Sequence, residues 1–221
     1  MQRRTFLAAA AAASAAGRAY TTTPRYIIDT HLHFYDPSRP QGVPWPAKTE
    51  KILYRTVLPE EFRKLTRSFA ITGAIVVEAS PWLEDNQWIL DLAAREPIIV
   101  GTVGHLECGR PEFRAHLARF HRNPLFRGIR LNGKGVSEGL QQPAYLDDLK
   151  RLADAGLELD AIGDPSMLVG LVRLTDRIPR LRIVINHLPF DWPGDPAARG
   201  AAQTALRELA RLSQLMGSAA S

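Results

Sequence analysis

The sequence has little cysteine, no long apolar run after its first residues, and little net charge. Its 221 residues contain one cysteine, Cys108, so no disulfide can form within the chain, and we expect this thiol to be a small buried hydrophobic group. The formal net charge of +5 falls to +2 without Arg3, Arg4 and Arg18, which lie in a segment that we expect to be removed. An excess this small does not indicate a nucleic-acid partner.

The first 19 residues have the layout of an export signal. Arg3 and Arg4 precede an alanine-rich apolar run, Phe6 to Ala16, and this order resembles the bacterial twin-arginine motif. The run is too short to cross a bilayer, which takes about 20 apolar residues. We predict a twin-arginine signal peptide over residues 1–19 and a periplasmic or secreted mature protein with no membrane span. A fraying alanine helix or an uncleaved anchor is the alternative.

The rest of the chain, residues 20–221, is expected to form one α/β domain. Short Ile- and Val-rich runs alternate with longer amphipathic stretches, which indicates βα units around a parallel sheet. A (β/α)₈ barrel needs eight strands and usually about 250 residues, whereas an open doubly wound sheet can stop at six. The glycine-rich phosphate loop common after the first strand of such open sheets is missing. Strands are predicted near 26–31, 74–79, 98–103, 128–131, 157–162 and 182–186, and helices near 59–68, 85–95, 111–122, 145–155, 165–177 and 197–215.

Three polar side chains end the first predicted strand. Alternation places Asp29, His31 and His33 on one face. The two imidazoles lie about 6.6 Å apart along the strand, so both can reach one metal ion or one substrate oxygen. A carboxylate one step below can accept a ring N–H and fix the tautomer of a histidine. A solvated polar strand end is the alternative, but three polar groups on an otherwise apolar strand are costly to bury without a purpose.

These residues begin a longer resemblance. The segment IDTHLHFYDP (28–37), followed by GVPWP (42–46), resembles the start of the amidohydrolase-related family, a (β/α)₈ branch of the amidohydrolase superfamily that includes sugar-lactone and dicarboxylate-lactone hydrolases. The resemblance implies a (β/α)₈ TIM-barrel fold that is incomplete, with about six βα units. Further matches follow in the family's order at AIVVEAS (74–80), IIVGTVGHLE (98–107), FRGIRLN (126–132) and RIVINHLPF (182–190).

Three more strands carry candidate site residues. Glu78 ends the second strand, where the family often has Glu or Gln, and is expected to assist catalysis; capping the next turn is the alternative. Alternation directs Arg130 and Asn132 inward on the fourth strand, where an inward guanidinium suits a carboxylate or a lactone oxygen of the substrate. Pairing of Arg130 with a nearby Asp or Glu is the alternative. On the fifth strand, Asp160 is the one ionisable candidate for the inner face.

His187 matches the family's histidine after the sixth strand. It is expected either to be a third metal ligand or to polarise the substrate carbonyl. The resemblance thus implies catalysis by His31, His33, His187 and Glu78, substrate binding by Arg130 and Asn132, and one divalent metal ion, Zn or Mn, held by the three histidines. Metal-free catalysis is the alternative. Arg130 stands where superfamily members with two metals carry a carboxylated lysine, so two metals are not expected.

The family's catalytic aspartate, which deprotonates the attacking water at the end of strand eight, has no counterpart. Asp191 lies in a similar Asp-Trp-Pro segment, but directly behind His187, and is not expected to replace it. We therefore expect a C-terminally truncated chain that has lost much of its rate, since general-base catalysis contributes roughly 10² to 10⁴-fold. The predicted function is hydrolysis of a lactone or related carboxylated cyclic ester, a small molecule. The alternatives are a metal-dependent decarboxylase of the same superfamily and an inactive remnant.

Overall fold

The computed structural model describes residues 26–187 and 193–219 as a curled sheet with helices on its outer side. Six parallel strands pair in sequence order, so the sheet closes part of a barrel. This confirms the predicted fold, a (β/α)₈ barrel type with six βα units. The strands are β1 (Ile27–Leu32), β2 (Ile71–Val77), β3 (Ile99–Gly104), β4 (Phe126–Asn132), β5 (Glu158–Ile162) and β6 (Arg182–Ile185). The helices are α1 (Pro59–Leu65), α2 (Leu83–Ala93), α3 (Phe113–Phe120), α4 (Gly133–Gly139), α5 (Pro143–Asp154), α6 (Met167–Arg177) and α7 (Pro196–Ala219).

The main hydrophobic core lies between the outer face of the sheet and the helices that cover it. Ile129 of β4 and Leu159 of β5 are fully buried there, against Leu149 of α5 and Leu171 of α6. Their apolar side chains stabilise the wall by leaving water, at roughly 1.5–3 kcal/mol for each fully buried Leu or Ile. The opposite, inner face is thereby left to the polar residues of the strands.

Helix α4 is the one helix of the described structure that the sequence pattern did not predict. Its sequence, GKGVSEG, is rich in glycine, which costs about 1 kcal/mol per residue in a helix. Tertiary contacts favour it nevertheless. A Cβ on Gly133 would lie 2.3 Å from the Met167 Cβ, and a Cβ on Gly139 would lie 2.5 Å from the Tyr145 ring. The glycines therefore allow close packing, which outweighs their low helix propensity.

The parallel arrangement brings the carboxyl ends of all six strands to one edge of the sheet. Between β4 and β5, Arg130 lies opposite Asp160 in register, so these two side chains share a face. Between β1 and β2 the register shifts after Asp29, which makes the end of β1 irregular. The predicted signal peptide and Asp191 lie outside the described residues. In the part of the chain that the structure describes, no helix is long and apolar enough to cross a membrane.

Candidate active site

Three imidazoles meet at the carboxyl edge of the sheet. The ring centroids of His31 and His187 are 4.5 Å apart, and those of His31 and His33 are 5.0 Å apart. His187 directly follows β6 after Asn186 and has a φ of 60°, in the left-handed region that non-glycine residues rarely adopt. Such backbone geometry concentrates at functional sites. The curl of the sheet thus brings histidines from its first and last described strands together.

His33 is held as a neutral ring with a defined tautomer. Its Nδ1 lies 2.9 Å from the Val77 carbonyl oxygen, which can only accept, so Nδ1 donates and Nε2 keeps its lone pair. Burial lowers the pKa of His33 to about 4, although the bond to Val77 opposes the shift. At neutral pH this imidazole is therefore a hydrogen-bond acceptor or a ligand, and not a cation.

His31 has an unsatisfied polar atom. Its Nε2 is buried and has no hydrogen-bond partner among the described residues. Burial lowers the pKa of His31, and the positive charges that His187 and Arg130 can carry lower it further. The Asp29 carboxylate accepts the backbone N–H of His31 at 3.0 Å. Asp29 therefore fixes the main chain at the end of β1, and its predicted action on a histidine ring stays a prediction.

Glu78 and Arg130 form an ion pair across the site. The Arg130 Nε donates to the Glu78 carboxylate at 2.8 Å, and Nη2 donates to the Glu78 backbone carbonyl at 2.7 Å. Both side chains are largely buried, with 12% and 16% of their surfaces exposed. This pairing is the alternative to substrate binding that the sequence left open for Arg130. A buried guanidinium without a partner would require an anionic ligand. Because Arg130 is paired with Glu78, that reason to expect an anionic ligand no longer holds.

Asn132 lies at the junction of β4 and α4. Its side-chain oxygen accepts the backbone N–H of Lys134 at 2.9 Å, the usual bond of a helix N-cap. The residue as a whole is exposed. Substrate binding by Asn132 stays a prediction, whereas its role in starting α4 follows from the geometry.

Asp160, the inner-face candidate of the fifth strand, forms a buried polar pair with Asn186, which the sequence did not single out. Their exposed fractions are 3% and 4%, and Asn186 Nδ2 donates to Asp160 Oδ2 at 2.9 Å. The Oδ1 atoms of both residues are buried without a partner among the described residues. Burial raises the pKa of Asp160, while the bond from Asn186 and the charge of Arg130 act in the opposite direction. The one available sequence signal was a carboxylate on an otherwise apolar inner face.

One cavity connects the pair to His31 and His187. It has a volume of about 640 Å³, and its lining includes His31, Glu158, Asp160, Asn186 and His187. Glu158 of β5 lines the cavity as well, so the expectation of one ionisable inner-face residue on this strand was wrong. Burial raises the pKa of Glu158, and the neighbouring Asp160 raises it further. The cavity therefore combines His31, whose pKa is lowered, with two carboxyl groups whose ionisation is disfavoured, a combination common in active sites.

The donor set has the chemistry for a divalent metal ion, but not a ready-made geometry. Within residues 26–187 and 193–219, no group of three or more His, Cys, Asp or Glu side chains is arranged so that it could hold a metal. Neutral imidazoles suit Zn²⁺, and the partnerless Nε2 of His31 is available as a ligand. The three-histidine site stays a prediction that requires side-chain rotation.

Aromatic residues flank the histidines on the loop after β1. The ring centroid of Trp45 lies 5.4 Å from that of His33 and 5.4 Å from that of Tyr35. Trp88 packs instead beneath Arg39, whose guanidinium lies 4.3 Å from the ring centroid. Trp45 thus lies beside the site, and Trp88 packs against Arg39 instead.

The thiol of Cys108 has its pKa raised by burial, which disfavours the reactive thiolate.

Two curated proteins are similar in sequence to this chain. An L-fucono-1,5-lactonase from Burkholderia ambifaria is 31% identical over 162 residues, which are 72% of this chain and 56% of that protein. The chain thus spans little more than half the length of this curated relative. A second L-fucono-1,5-lactonase, from Burkholderia multivorans, is 29% identical over 121 residues, 55% of this chain and 39% of that protein.

Solved structures share the fold. A Burkholderia multivorans amidohydrolase with bound Zn superimposes with a TM-score of 0.73 at 23% identity, covering 85% of this chain and 67% of that one. A probable 2-pyrone-4,6-dicarboxylic acid hydrolase from Acinetobacter baumannii, with citric acid bound, gives 0.66 at 18% identity, covering 83% and 66%. The family model described as amidohydrolase matches residues 28–219, from the start of β1 to the end of α7. The chain therefore belongs to the amidohydrolase family.

Proposed function

We propose that the site opens a lactone by hydrolysis. The observation that carries this proposal is the partnerless, buried Nε2 of His31 beside two further imidazoles, in a chain whose curated relative is named a lactonase. Ring opening forms a bond from water oxygen to the carbonyl carbon and breaks the ring C–O bond. One proton must leave the water and one must reach the released alkoxide, so a group that accepts a proton and then donates it is needed beside the carbonyl.

The histidines are suited to hold the water and the lactone carbonyl. His33 presents a neutral Nε2 because Nδ1 is bonded to Val77 and burial lowers its pKa to about 4. That lone pair can accept a proton or a hydrogen bond from water at neutral pH. His31 has the same preference for the neutral form.

We propose one divalent metal ion, Zn or Mn, as the cofactor, with His31, His33 and His187 as its ligands. Bound there, the ion would polarise the carbonyl and lower the pKa of water. The support is the neutral imidazole chemistry and the Zn bound in the similar amidohydrolase from Burkholderia multivorans. Metal-free catalysis by the same imidazoles remains the alternative, and adding or chelating metal distinguishes the two.

A sugar-derived lactone is the first substrate to test, because both curated relatives are named for L-fucono-1,5-lactone. The assay follows acid release with a pH indicator, with spontaneous opening subtracted and with Zn²⁺, Mn²⁺ or EDTA added. We expect turnover by the parent chain and at least a 100-fold loss for His31→Ala. His121→Ala, an exposed histidine after α3, is the matched control and should keep full activity.

Two results would count against hydrolysis. Equal rates for the parent and His31→Ala would remove the imidazole cluster from the reaction. Release of carbon dioxide from an aromatic carboxylic acid, without lactone opening, would favour the decarboxylase alternative.

We also propose that the chain is exported through the twin-arginine route. The support is the pair Arg3-Arg4 before an alanine-rich run. Conservative replacement of both arginines by lysine should keep the protein in the cytoplasm of a bacterial host, as measured by cell fractionation. Unchanged export would contradict the proposal.

A further inference from the structure

Three buried side-chain atoms lack hydrogen-bond partners in the described part of the chain, and all belong to residues that line one cavity. They are His31 Nε2, Asp160 Oδ1 and Asn186 Oδ1. Buried polar groups in proteins are paired in the great majority of cases, and each exception needs an explanation. The proposed hydrolysis uses His31 and leaves the two oxygens unexplained.

The bond between Asp160 and Asn186 determines what those oxygens can do. Because Asn186 Nδ2 donates to Asp160 Oδ2, the amide orientation is set and its oxygen is the free end. A carboxylate oxygen and an amide oxygen only accept hydrogen bonds. The chemical complement of this pair is therefore a ligand that donates hydrogens, such as a group with adjacent hydroxyls.

The charges around the cavity favour a neutral ligand. Arg130, which lies opposite Asp160 in register, is already engaged by the Glu78 carboxylate and carbonyl. Glu158 adds a second carboxyl group to the lining. A dicarboxylate would meet like-charged or acceptor groups here, whereas hydroxyls would meet acceptors. The volume of about 640 Å³ is within the range of small-molecule sites.

We propose that Asp160 and Asn186 form a hydroxyl-binding subsite, in which their Oδ1 atoms, buried in this structure, turn into the cavity and accept hydrogen bonds from ring hydroxyls of the lactone. The identity of its ligand rests on the proposed function. The subsite determines specificity, whereas the histidines catalyse the ring opening. It predicts that the site discriminates a polyhydroxylated ring from the same ring without hydroxyls.

Binding of two non-hydrolysable probes tests the subsite. A trihydroxy δ-lactam carries the hydroxyls, and δ-valerolactam has the same ring without them. Calorimetry on the full chain should show tighter binding of the trihydroxy lactam. Asp160→Asn should weaken that binding by about 10- to 100-fold and leave δ-valerolactam unchanged, because only the hydroxylated ring uses the carboxylate.

Asp148→Asn is the matched control. Asp148 is a buried carboxylate of α5 that accepts the Gly109 backbone N–H at 2.8 Å and does not line the cavity. This variant should keep the preference of the parent for the trihydroxy lactam. Equal binding of the two lactams by the parent chain, or an equal loss of both in Asp160→Asn, would overturn the subsite.

A measurement on the parent chain covers the case in which Asp160→Asn does not fold. The side-chain amide signals of Asn186, identified by their loss in Asn186→Ser, should shift in nitrogen–proton NMR spectra with the trihydroxy lactam and stay in place with δ-valerolactam. Absence of a shift at saturation would overturn the subsite. Hydroxyl-dependent binding without lactone turnover would instead contradict the proposed hydrolysis and support the subsite.

Discussion

Two polar pairs lie on the inner face of the half-barrel, and they differ in how many of their polar atoms are hydrogen-bonded. Glu78 and Arg130, at the ends of β2 and β4, satisfy one another through a carboxylate and a backbone carbonyl. Asp160 and Asn186, on β5 and directly after β6, share one bond and leave two buried oxygens without partners among the described residues. We call Glu78 and Arg130 the closed pair, because they satisfy one another. We call Asp160 and Asn186 the open pair, because each leaves one buried oxygen without a partner among the described residues.

This difference indicates that the closed pair contributes to stability and the open pair to ligand recognition. A closed pair has compensated its desolvation internally, so breaking it leaves an unpaired charge in a largely buried position. An open pair carries a desolvation cost that only an added donor recovers. We therefore assign the closed pair to holding the strand ends and the open pair to binding a ligand.

The largest effect is expected when the closed pair is broken. Glu78→Gln should lower the free energy of unfolding by about 3 kcal/mol, because Arg130 loses its counter-charge in a site that is 12% to 16% exposed. Urea denaturation at neutral pH measures this. The double variant Glu78→Leu, Arg130→Met should recover most of the loss. A loss below about 0.5 kcal/mol in Glu78→Gln would show that the pair is not structural.

An effect of at most similar size is expected from acid, through His33, whose ring is bonded to the Val77 carbonyl at the end of β2. Its folded pKa of about 4 lies below the ordinary 6.5, so the unfolded chain binds the proton first as the pH falls. The stability should decrease between pH 6.5 and 4, by up to about 3 kcal/mol from this residue, and level off below pH 4. His31 contributes in the same direction.

His33→Asn isolates that contribution, because the amide can still donate to the Val77 carbonyl but does not titrate in this range. In EDTA, its free energy of unfolding should fall less than that of the parent between pH 6.5 and 4. Parallel curves for the two proteins would contradict the lowered pKa.

The smallest effect on stability is expected at the open pair. Asp160→Asn removes a carboxylate that is only half satisfied, and keeps an oxygen to accept from Asn186. The free energy of unfolding should stay within about 1 kcal/mol of the parent value, in contrast to Glu78→Gln. A loss of about 3 kcal/mol or more would place Asp160 with the structural pair.

The sequence predicted much of this arrangement, for identifiable reasons. Period-two alternation and the strand-end positions indicated His31, His33 and His187, and the structure brings these rings within 5.0 Å of their neighbours. The pairing of Glu78 with Arg130 links residues that are 52 positions apart, so only the curl of the sheet reveals it. Helix α4 depends on close contacts of Gly133 and Gly139, which local propensity does not encode.

Asp160 shows most clearly what the sequence alone could not predict. Its inward direction followed from alternation, but its bond to Asn186 depends on the register between β5 and β6. That Asn186 leaves its own oxygen without a partner among the described residues is a property of three-dimensional packing. Sequence reasoning could name the carboxylate, but not its half-satisfied state.

The most direct test of the two assignments measures how much a ligand stabilises each variant. Saturating trihydroxy δ-lactam should raise the free energy of unfolding of the parent chain and of the Glu78→Leu, Arg130→Met variant alike, since the ligand binds only the folded state. In Asp160→Asn the same concentration should stabilise the protein by about 1.4 to 2.7 kcal/mol less, which corresponds to a 10- to 100-fold weaker Kd. The contrary result is that the lactam stabilises Asp160→Asn as much as the parent and does not stabilise the double variant. The closed pair would then be the binding element, and both assignments would be wrong.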